Sequence, residues 1–180
     1  KDKMDKPAYG FFKNDKYNSD VFVDENNLQE VDWVVGCSML IDLDKFENCN
    51  IFDENFFLFF EETDLCQRVK LNNGKIYSSK NLIIDHLGEK GSFNFDNKNT
   101  LSYIKLRNWH LMWSSFYYYK KNKSYFFALR ISIGIIIRSS IKILFYLVMF
   151  NKHERTKYLY RFLGLFNSMI GKKSWYRPKI

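Results

Sequence analysis

"FFLFFEETDLCQR", residues 56–68, places three acids, Glu61, Glu62 and Asp64, directly behind five residues that are all Phe or Leu. The residues that follow have apolar side chains three or four apart and end at Gly74, which predicts an amphipathic helix with its acids in the first turn. Free N–H groups and the helix dipole stabilise carboxylates there, so solvated charge is one interpretation. A catalytic base against the apolar wall of a pocket is the other.

The charge of the chain is divided unevenly along its 180 residues, a length sufficient for one domain with a core. Residues 1–100 contain 12 Lys or Arg and 19 Asp or Glu, a net charge of −7. Residues 101–180 contain 16 Lys or Arg and one acid, Glu154, a net charge of +15. An acidic segment joined to a basic one indicates two different tasks.

The cysteines form no pattern typical of a disulfide framework or a zinc site. Cys37, Cys49 and Cys66 are odd in number and include no C-x-x-C pair. All three lie among apolar residues, so we expect core positions in a protein of a reducing compartment.

The first segment predicts short strands and one helix, which is typical of an α/β domain. "VDWVVGCSMLIDL" at 31–43 is a continuous apolar run, the pattern of a strand buried on both faces. We also expect a strand near 21–23, a helical turn at 44–50, a loop at 51–60, and strands at 75–79 and 81–86. The chain begins without Met or a signal-peptide pattern, so we expect the natural start to lie upstream.

The second segment predicts three helical stretches, at 99–121, 124–150 and 158–170. All are rich in aromatic or aliphatic residues, and the basic tail "GKKSWYRPKI" follows them. Basic residues beside Trp and Tyr are typical of the cytoplasmic face of a bilayer. The aliphatic density argues against a nucleic-acid surface, which is polar and basic, so we expect no nucleic-acid partner.

Cations interrupt the stretch 124–150 at regular intervals. Arg130, Gly134, Arg138 and Lys142 recur every four residues and form one slowly drifting stripe on a helix. The charge-free runs between them are too short for the roughly 20 apolar residues of a membrane span. The pattern favours a helix lying in the headgroup plane of an anionic membrane. A soluble bundle or partner surface, and a true span, are the alternatives.

Several separated motifs resemble the acceptor-side half of a family 2 glycosyltransferase, closest to its bacterial rhamnosyltransferase-like members. "DWVVG" at 32–36 matches D-W-x-x-G, and "FDENFFLFFEETDLCQR" at 52–68 matches F-D-E-x-F-F-x-Y-x-E-D-x-D-L-C-x-R. A Gly then precedes a strand, and "IIDHLGEKGS" at 83–92 matches the family's His before a Gly- and Ser-containing loop. The resemblance covers about residues 31–92 and keeps the family's order and spacing.

The resemblance implies a catalytic role for the acids. Such enzymes have the GT-A fold and invert the anomeric carbon in one displacement, with one carboxylate as base. The base is the second acid of the family's Glu-Asp pair, which here is Glu62. The departure from Asp lengthens this side chain by one methylene, so either the acceptor sits further away or the enzyme is impaired. Glu61 and Asp64 would orient the base or bind acceptor hydroxyls.

The same resemblance implies binding residues and a metal. Trp33 and Gly36 would contact substrate, the Gly allowing close approach of sugar or backbone. Asp53 and Glu54 would line the acceptor loop. His86 would be a ligand of the divalent Mg or Mn ion on the donor diphosphate, because a neutral imidazole can serve beside oxygen ligands. Viewed alone, a His at a strand end is usually a polar cap.

One acidic pair is a decoy. Asp42-Leu43-Asp44 spells the D-x-D of sugar-nucleotide enzymes, but the family's D-x-D lies much further upstream of the Glu-Asp pair. We predict that Asp42 and Asp44 end a strand and cap the next turn. The nucleotide-binding half of a GT-A domain is therefore missing from residues 1–30, and we expect no turnover if these 180 residues are the whole protein.

The overall prediction is a partial GT-A domain of the α/β class at 1–96, followed by a membrane-associating helical region at 97–180. It would belong to an enzyme that moves a sugar, plausibly rhamnose, from a nucleotide sugar to a lipid-linked or polysaccharide acceptor. The expected place is the cytoplasmic face of a bacterial membrane, with an anionic lipid surface as partner. The alternative is a non-catalytic remnant or binding module on that surface.

Overall fold

The protein combines helices with a small sheet, so it is of mixed α/β class, as predicted. A computed structural model describes residues 28–46, 50–79 and 101–177. The elements in this part are β1 (Leu28–Glu30), a 3-10 turn (Leu43–Phe46), α1 (Glu61–Leu71), β2 (Tyr77–Ser79), α2 (Leu101–Asn122), α3 (Tyr125–Val148) and α4 (Lys152–Met169). They fall into two compact units, one with 28–46, 50–53 and 61–79, the other with 54–60 and 101–177. The two units follow one another along the chain, except that the loop 54–60 belongs to the helical unit.

The first unit contains the sheet. β1 and β2 pair antiparallel, and the amide of Val31 extends the pairing by donating to the carbonyl of Ile76 at 2.9 Å. The predicted strand at 31–43 is wrong, since the described chain is irregular from Val31 to Asp42. The physical reason is that, among the described residues, pairing with the short β2 ends at Val31. Val35 and Leu40 are exposed.

The end of α1 is fixed by a hydrogen-bonded cap. The Gly74 amide donates to the Val69 carbonyl at 2.8 Å, and the Asn73 amide to the Lys70 carbonyl at 3.1 Å. Asn73 adopts the left-handed conformation, with φ of 58°. These features make a Schellman motif in which Gly74 follows the left-handed residue. A Cβ on Gly74 would lie 2.7 Å from Val69 Cγ1, so the sequence needs glycine there.

The smaller predictions have mixed outcomes. The 3-10 turn, the irregular 51–60 loop and a strand within 75–79 are confirmed. Asp42 accepts a hydrogen bond from the Asp44 amide at 3.2 Å, the predicted cap. Cys66 is buried as predicted, whereas the prediction for Cys37 is wrong, because it lies in an exposed turn. The predicted strands at 21–23 and 81–86 and residue Cys49 lie outside the described residues.

The second unit is a three-helix arrangement centred on α2, and all three predicted helical stretches are confirmed. Its largest fully buried side chains come mainly from α2: Trp109, Met112, Phe116 and Tyr119. α4 packs on α2 with its backbone close by, since a Cβ on Gly164 would lie 2.2 Å from the Trp109 carbonyl oxygen. Hydroxyl and amide side chains cap α3 and α4 at their N-termini: Ser124 accepts from the Phe127 amide and Asn151 from the Glu154 amide.

Candidate active site at the start of α1

The first two residues of α1 are carboxylic acids whose side chains are largely withdrawn from water. Glu61 Oε2 and Glu62 Oε2 are both buried, and neither has a hydrogen-bond partner within the described residues. Buried polar atoms are normally hydrogen-bonded, so a buried oxygen without a partner needs a physical explanation. A cluster of solvated charges would not bury its oxygens. The burial of these two oxygens therefore disagrees with the interpretation of a fully solvated cluster.

Burial changes the proton affinity of both acids. It raises the pKa of Glu61 from 4.5 to about 6. The backbone hydrogen bond of Glu61 opposes this rise, and the charge of Glu62 adds to it. Burial also raises the pKa of Glu62, again opposed by a backbone hydrogen bond. The helix N-terminus stabilises the ionised forms, but here desolvation outweighs it. A carboxyl that titrates near neutral pH suits a general base, and perturbed pairs of this kind cluster at functional sites.

Two motifs that are far apart in sequence meet at Glu62. A Cβ placed on Gly36 would lie 3.5 Å from Glu62 Cβ and 3.8 Å from its carboxyl carbon. Cys66 lies one turn further along α1. Burial raises the pKa of its thiol, a hydrogen bond with the Val34 backbone lowers that pKa, and the charge of Glu62 raises it. The "DWVVG" segment therefore lies along the first turns of α1, with its glycine against the predicted base.

Asp64 has a different environment from the two glutamates. It is fully buried, and its Oδ2 accepts from Arg68 Nε at 2.9 Å. The same guanidinium donates to the carbonyls of Asn50, at 2.9 Å, and Ile51. Asp64 thus holds an arginine that fastens the incoming chain to α1, and its predicted role in orienting Glu62 or binding acceptor hydroxyls stays a prediction. Arg68 was not singled out from the sequence, although its spacing of four from Asp64 is a signal for such a pair.

The remaining predicted residues occupy varied surroundings. Trp33 and Asp53 are half-buried, and Glu54 is exposed. Asp32, which precedes Trp33, is ion-paired with Lys70 on α1 in an exposed position. His86 lies outside the described residues. The structure therefore brings Gly36 and Glu62 together and leaves the metal ligand untested.

The loop that precedes α1 has an unusual backbone. Phe59 and Phe60, the two residues before Glu61, both have positive φ, 67° and 71°. Such a conformation costs a bulky residue on the order of 1–3 kcal/mol, and it persists only where surrounding contacts impose it. Within the helical unit, Ser114 Oγ donates to the Leu58 carbonyl at 2.8 Å, and the Phe60 ring packs 5.3 Å from that of Tyr118. No sequence signal predicts left-handed phenylalanines.

The helical unit has a cavity of its own, about 400 Å³ in volume. Its lining is mostly aromatic: Trp109, Tyr160, Leu163, Phe166, Asn167, Lys172, Trp175 and Tyr176. None of the predicted site residues that the structure describes lines this cavity.

Comparison of the chain with family models, with curated proteins and with solved structures finds no match in any of the three. The resemblance to family 2 glycosyltransferases thus rests on the motifs themselves.

A metal ion remains an expectation of the resemblance. Within 28–46, 50–79 and 101–177 no three His, Cys, Asp or Glu side chains are grouped closely enough to hold one. The buried oxygens of Glu61 and Glu62 have the hard-donor chemistry that Mg and Mn prefer, but two carboxylates from one helical turn do not make a site.

Proposed function

We propose that the chain is the acceptor-side part of an inverting family 2 glycosyltransferase with a GT-A fold. The observation that carries the proposal is the contact of Gly36 with Glu62, beside buried carboxylate oxygens that have no hydrogen-bond partner among the described residues. These residues come from two motifs whose order and spacing resemble that family. A buried carboxyl oxygen without a hydrogen-bond partner is costly for a fold, and a base that receives the proton of an acceptor hydroxyl would explain the two such oxygens among the described residues.

The proposed reaction is a single displacement. Glu62 accepts the proton of the acceptor hydroxyl as the hydroxyl oxygen forms a bond to the anomeric carbon of the donor sugar. The bond from that carbon to the diphosphate breaks, and the electron pair leaves with the diphosphate. Because the nucleophile enters opposite the leaving group, the anomeric configuration inverts. An acid with a raised pKa is a stronger base than an ordinary carboxylate once it is ionised.

Glu61 has a supporting part in this scheme. Its pKa of about 6 leaves it mostly ionised at pH 7, and its charge lies next to that of Glu62. Two adjacent carboxylates hold a proton more readily than one, which helps the pair accept the proton of a weakly acidic hydroxyl. Asp64, paired with Arg68, fixes the helix turn that presents both glutamates.

The donor, the metal and the membrane complete the proposal. The donor would be a nucleotide sugar, with rhamnose the sugar that the resemblance favours, and its diphosphate would be bound with a divalent ion that His86 helps to hold. A bound divalent ion would neutralise charge on the departing diphosphate. The acceptor would be lipid-linked or a glycan at the cytoplasmic face of a bacterial membrane.

Direct detection of transfer tests this function. The full-length natural protein that contains this chain is incubated with radiolabelled nucleoside diphosphate rhamnose, other nucleotide sugars and membrane-extracted acceptor, with Mg or Mn. We expect label in the acceptor fraction and an inverted anomeric configuration by NMR. Retention of configuration would contradict the single displacement.

A non-catalytic membrane-surface protein is the second candidate. Two observations favour it: Glu stands at position 62 where the family has Asp, and the helical unit exposes a large apolar surface. Lipid binding by the full-length protein without sugar transfer or donor binding would establish this alternative.

A further inference from the structure

The helix α3 presents a long apolar face that nothing in the described part of the chain covers. Ile133, Ile137, Ile141, Leu144 and Val148 are all at least half exposed, and they recur every three or four residues along one side. Phe150 extends the face at one end, and at the other end the exposed Arg130 separates Phe126 from Ile133. Contiguous exposed apolar surface of this kind marks an interaction site.

The opposite side of α3 is built for close packing. Ala128, Ser132 and Ser139 are buried, with 0%, 2% and 1% of their surface exposed. Small residues let helix backbones approach one another, and in this unit α3 packs mainly on α4. The rings of Tyr146 and Tyr158 stack across that contact, 5.8 Å apart. The apolar face is thus the outward side of a helix whose other side is already occupied.

Cations flank the apolar face on one side. Arg138 and Lys142 follow Ile137 and Ile141 by one residue each, which places them about 100° round the helix. Lys142 also lies 5.3 Å from the centre of the Phe145 ring and 5.4 Å from that of Tyr146. No Asp or Glu occurs in α3. An apolar face with a cationic border and no acids complements an anionic lipid surface.

We propose that α3 docks flat on an anionic bilayer, with the face from Ile133 to Val148 among the acyl chains and Arg138 and Lys142 at the phosphates. This rests on the membrane part of the proposed function and deepens it by naming the surface that binds lipid and its orientation, and it can be tested apart from sugar transfer.

The structure argues against α3 crossing the bilayer, although it is the one helix among the described residues that is long and apolar enough. α4 packs alongside it, and α4 begins with Lys152, Glu154, Arg155 and Lys157, with Arg161 one turn later. A crossing α3 would place its own Arg138, near the middle of the helix, and Arg161 of the adjoining α4 in the hydrocarbon, where a central charge costs about 2.5–3.5 kcal/mol or more. Docking in the plane leaves both charges outside the hydrocarbon.

The charge pattern also argues against a second copy of the chain as the occupant. In a two-fold dimer formed through this face, the cationic borders of two α3 helices would meet without any acid to pair with. A lipid headgroup supplies the missing negative charge.

Vesicle binding tests the occupant. The full chain is sedimented with vesicles of phosphatidylcholine alone and with 30% phosphatidylglycerol, in roughly 0.1 M salt. We expect binding to the anionic vesicles and at least tenfold weaker binding for Ile137→Asn/Ile141→Asn. Arg138→Gln should weaken binding to anionic vesicles more than the matched change Lys75→Gln in the other unit. Equal binding of the Asn double variant, or a dimer in lipid-free solution that this variant dissociates, would overturn the proposal.

Spin-label depth measurements test the orientation. Single cysteines replace Ile133, Ile137, Ile141 and Leu144 in a chain whose Cys37 and Cys49 are changed to Ser. Flat docking predicts similar shallow depths for all four labels. A crossing helix would spread the first and last labels over about 16 Å of depth, at 1.5 Å per residue, and that result would refute in-plane docking.

Discussion

Two neighbouring glutamates at the start of α1 are the residues on which the account depends most. Their sequence neighbours are apolar, and their buried oxygens lack hydrogen-bond partners among the described residues. The burial makes the folded state hold protons more tightly at Glu61 than the unfolded chain does, because the pKa rises from 4.5 to about 6. Proton binding and stability are therefore linked at this residue.

Replacing Glu61 by Gln should stabilise the first unit at neutral pH. Between pH 4.5 and about 6 the native state binds more protons at Glu61 than the unfolded chain does. The ionised Glu61 therefore lowers the free energy of unfolding above that window, and the protonated Glu61 does not lower it below the window. We expect Glu61→Gln to gain about 1 kcal/mol at pH 8, a figure reduced for the partial exposure of the side chain, and about zero at pH 4. Urea-dependent labelling of the buried Cys66 thiol by dithiodipyridine, which reacts with thiols at both pH values, measures this in a chain with Cys37 and Cys49 replaced by Ser. Glu54→Gln, at an exposed acid, is the control, and an equal gain there would contradict the account.

His110 makes a second pH-dependent contribution, of opposite sign, in the helical unit. It is fully buried, its Nε2 lies 2.8 Å from the Tyr176 carbonyl and its Nδ1 lies 3.1 Å from Ser174 Oγ. A carbonyl only accepts, so Nε2 carries the proton and Nδ1 accepts from Ser174. Burial lowers the pKa of His110 to about 4. The hydrogen bond with the Tyr176 carbonyl opposes this lowering, and the charge of Arg177 adds to it.

The helical unit should therefore lose stability as the pH falls from 6.5 to about 4. The native state keeps His110 neutral while the unfolded chain takes up a proton, a difference of about 3 kcal/mol over that range. His110→Gln, which is neutral at every pH, should flatten this dependence. Urea unfolding followed by Trp fluorescence reports on this unit, because Trp109, Trp113 and Trp175 belong to it. An unchanged dependence in the variant would remove His110 from this role.

At the scale of elements, the closest helix contact is between α2 and α4. Alanine at Gly164 would place its Cβ 2.2 Å from the Trp109 carbonyl oxygen, so the two backbones would have to separate. We expect Gly164→Ala to destabilise the helical unit by about 2 kcal/mol or more. Gly134→Ala is a matched control, since its Cβ meets nothing within 4 Å, and it should stabilise α3 by about 0.5–1 kcal/mol. Thermal unfolding followed by circular dichroism compares the two, and similar effects of both variants would contradict the described α2–α4 packing.

The helices could be predicted from sequence because their signals are local. Periodic apolar residues, the acids of the first turn and Gly74 together indicate α1, and the aromatic and aliphatic stretches indicate α2, α3 and α4. The irregular course after Val31 could not be predicted, since an apolar run becomes a strand only where a neighbouring strand pairs with it. The left-handed Phe59 and Phe60 are equally hidden, because contacts with residues more than 50 positions away, such as that of Ser114 with Leu58, impose them.

One contact of the candidate site could be predicted from the sequence, whereas its electrostatics could not. The motifs identify Gly36 and Glu62, and the fold brings them together. The burial of Glu61 and Glu62 could not be read from sequence, because helix-start acids are usually solvated. The sequence left two roles open for Asp64, and the structure shows a third: an ion pair with Arg68 that holds residue 50 against α1.

At the scale of the whole molecule, the two proposals concern different units and can be separated by experiment. The acid pair belongs to the unit with the sheet, and the lipid-binding face belongs to the helical unit. If both proposals hold, Ile137→Asn/Ile141→Asn should raise the apparent KM for an acceptor embedded in vesicles and leave transfer to a detergent-solubilised acceptor unchanged. Steady-state kinetics with the two acceptor forms check this, and equal losses with both would show that the α3 face does not act through the membrane.

Turnover of Glu62 variants in the full-length natural protein tests the central claim most directly. Glu62→Gln keeps the size of the side chain and removes the base, so the account predicts a loss of about 10²–10⁴-fold in kcat with unchanged donor binding. Glu62→Asp, which restores the residue type of the resembled family, should retain substantial activity. Near-normal turnover by Glu62→Gln would contradict the assignment of Glu62 as the base.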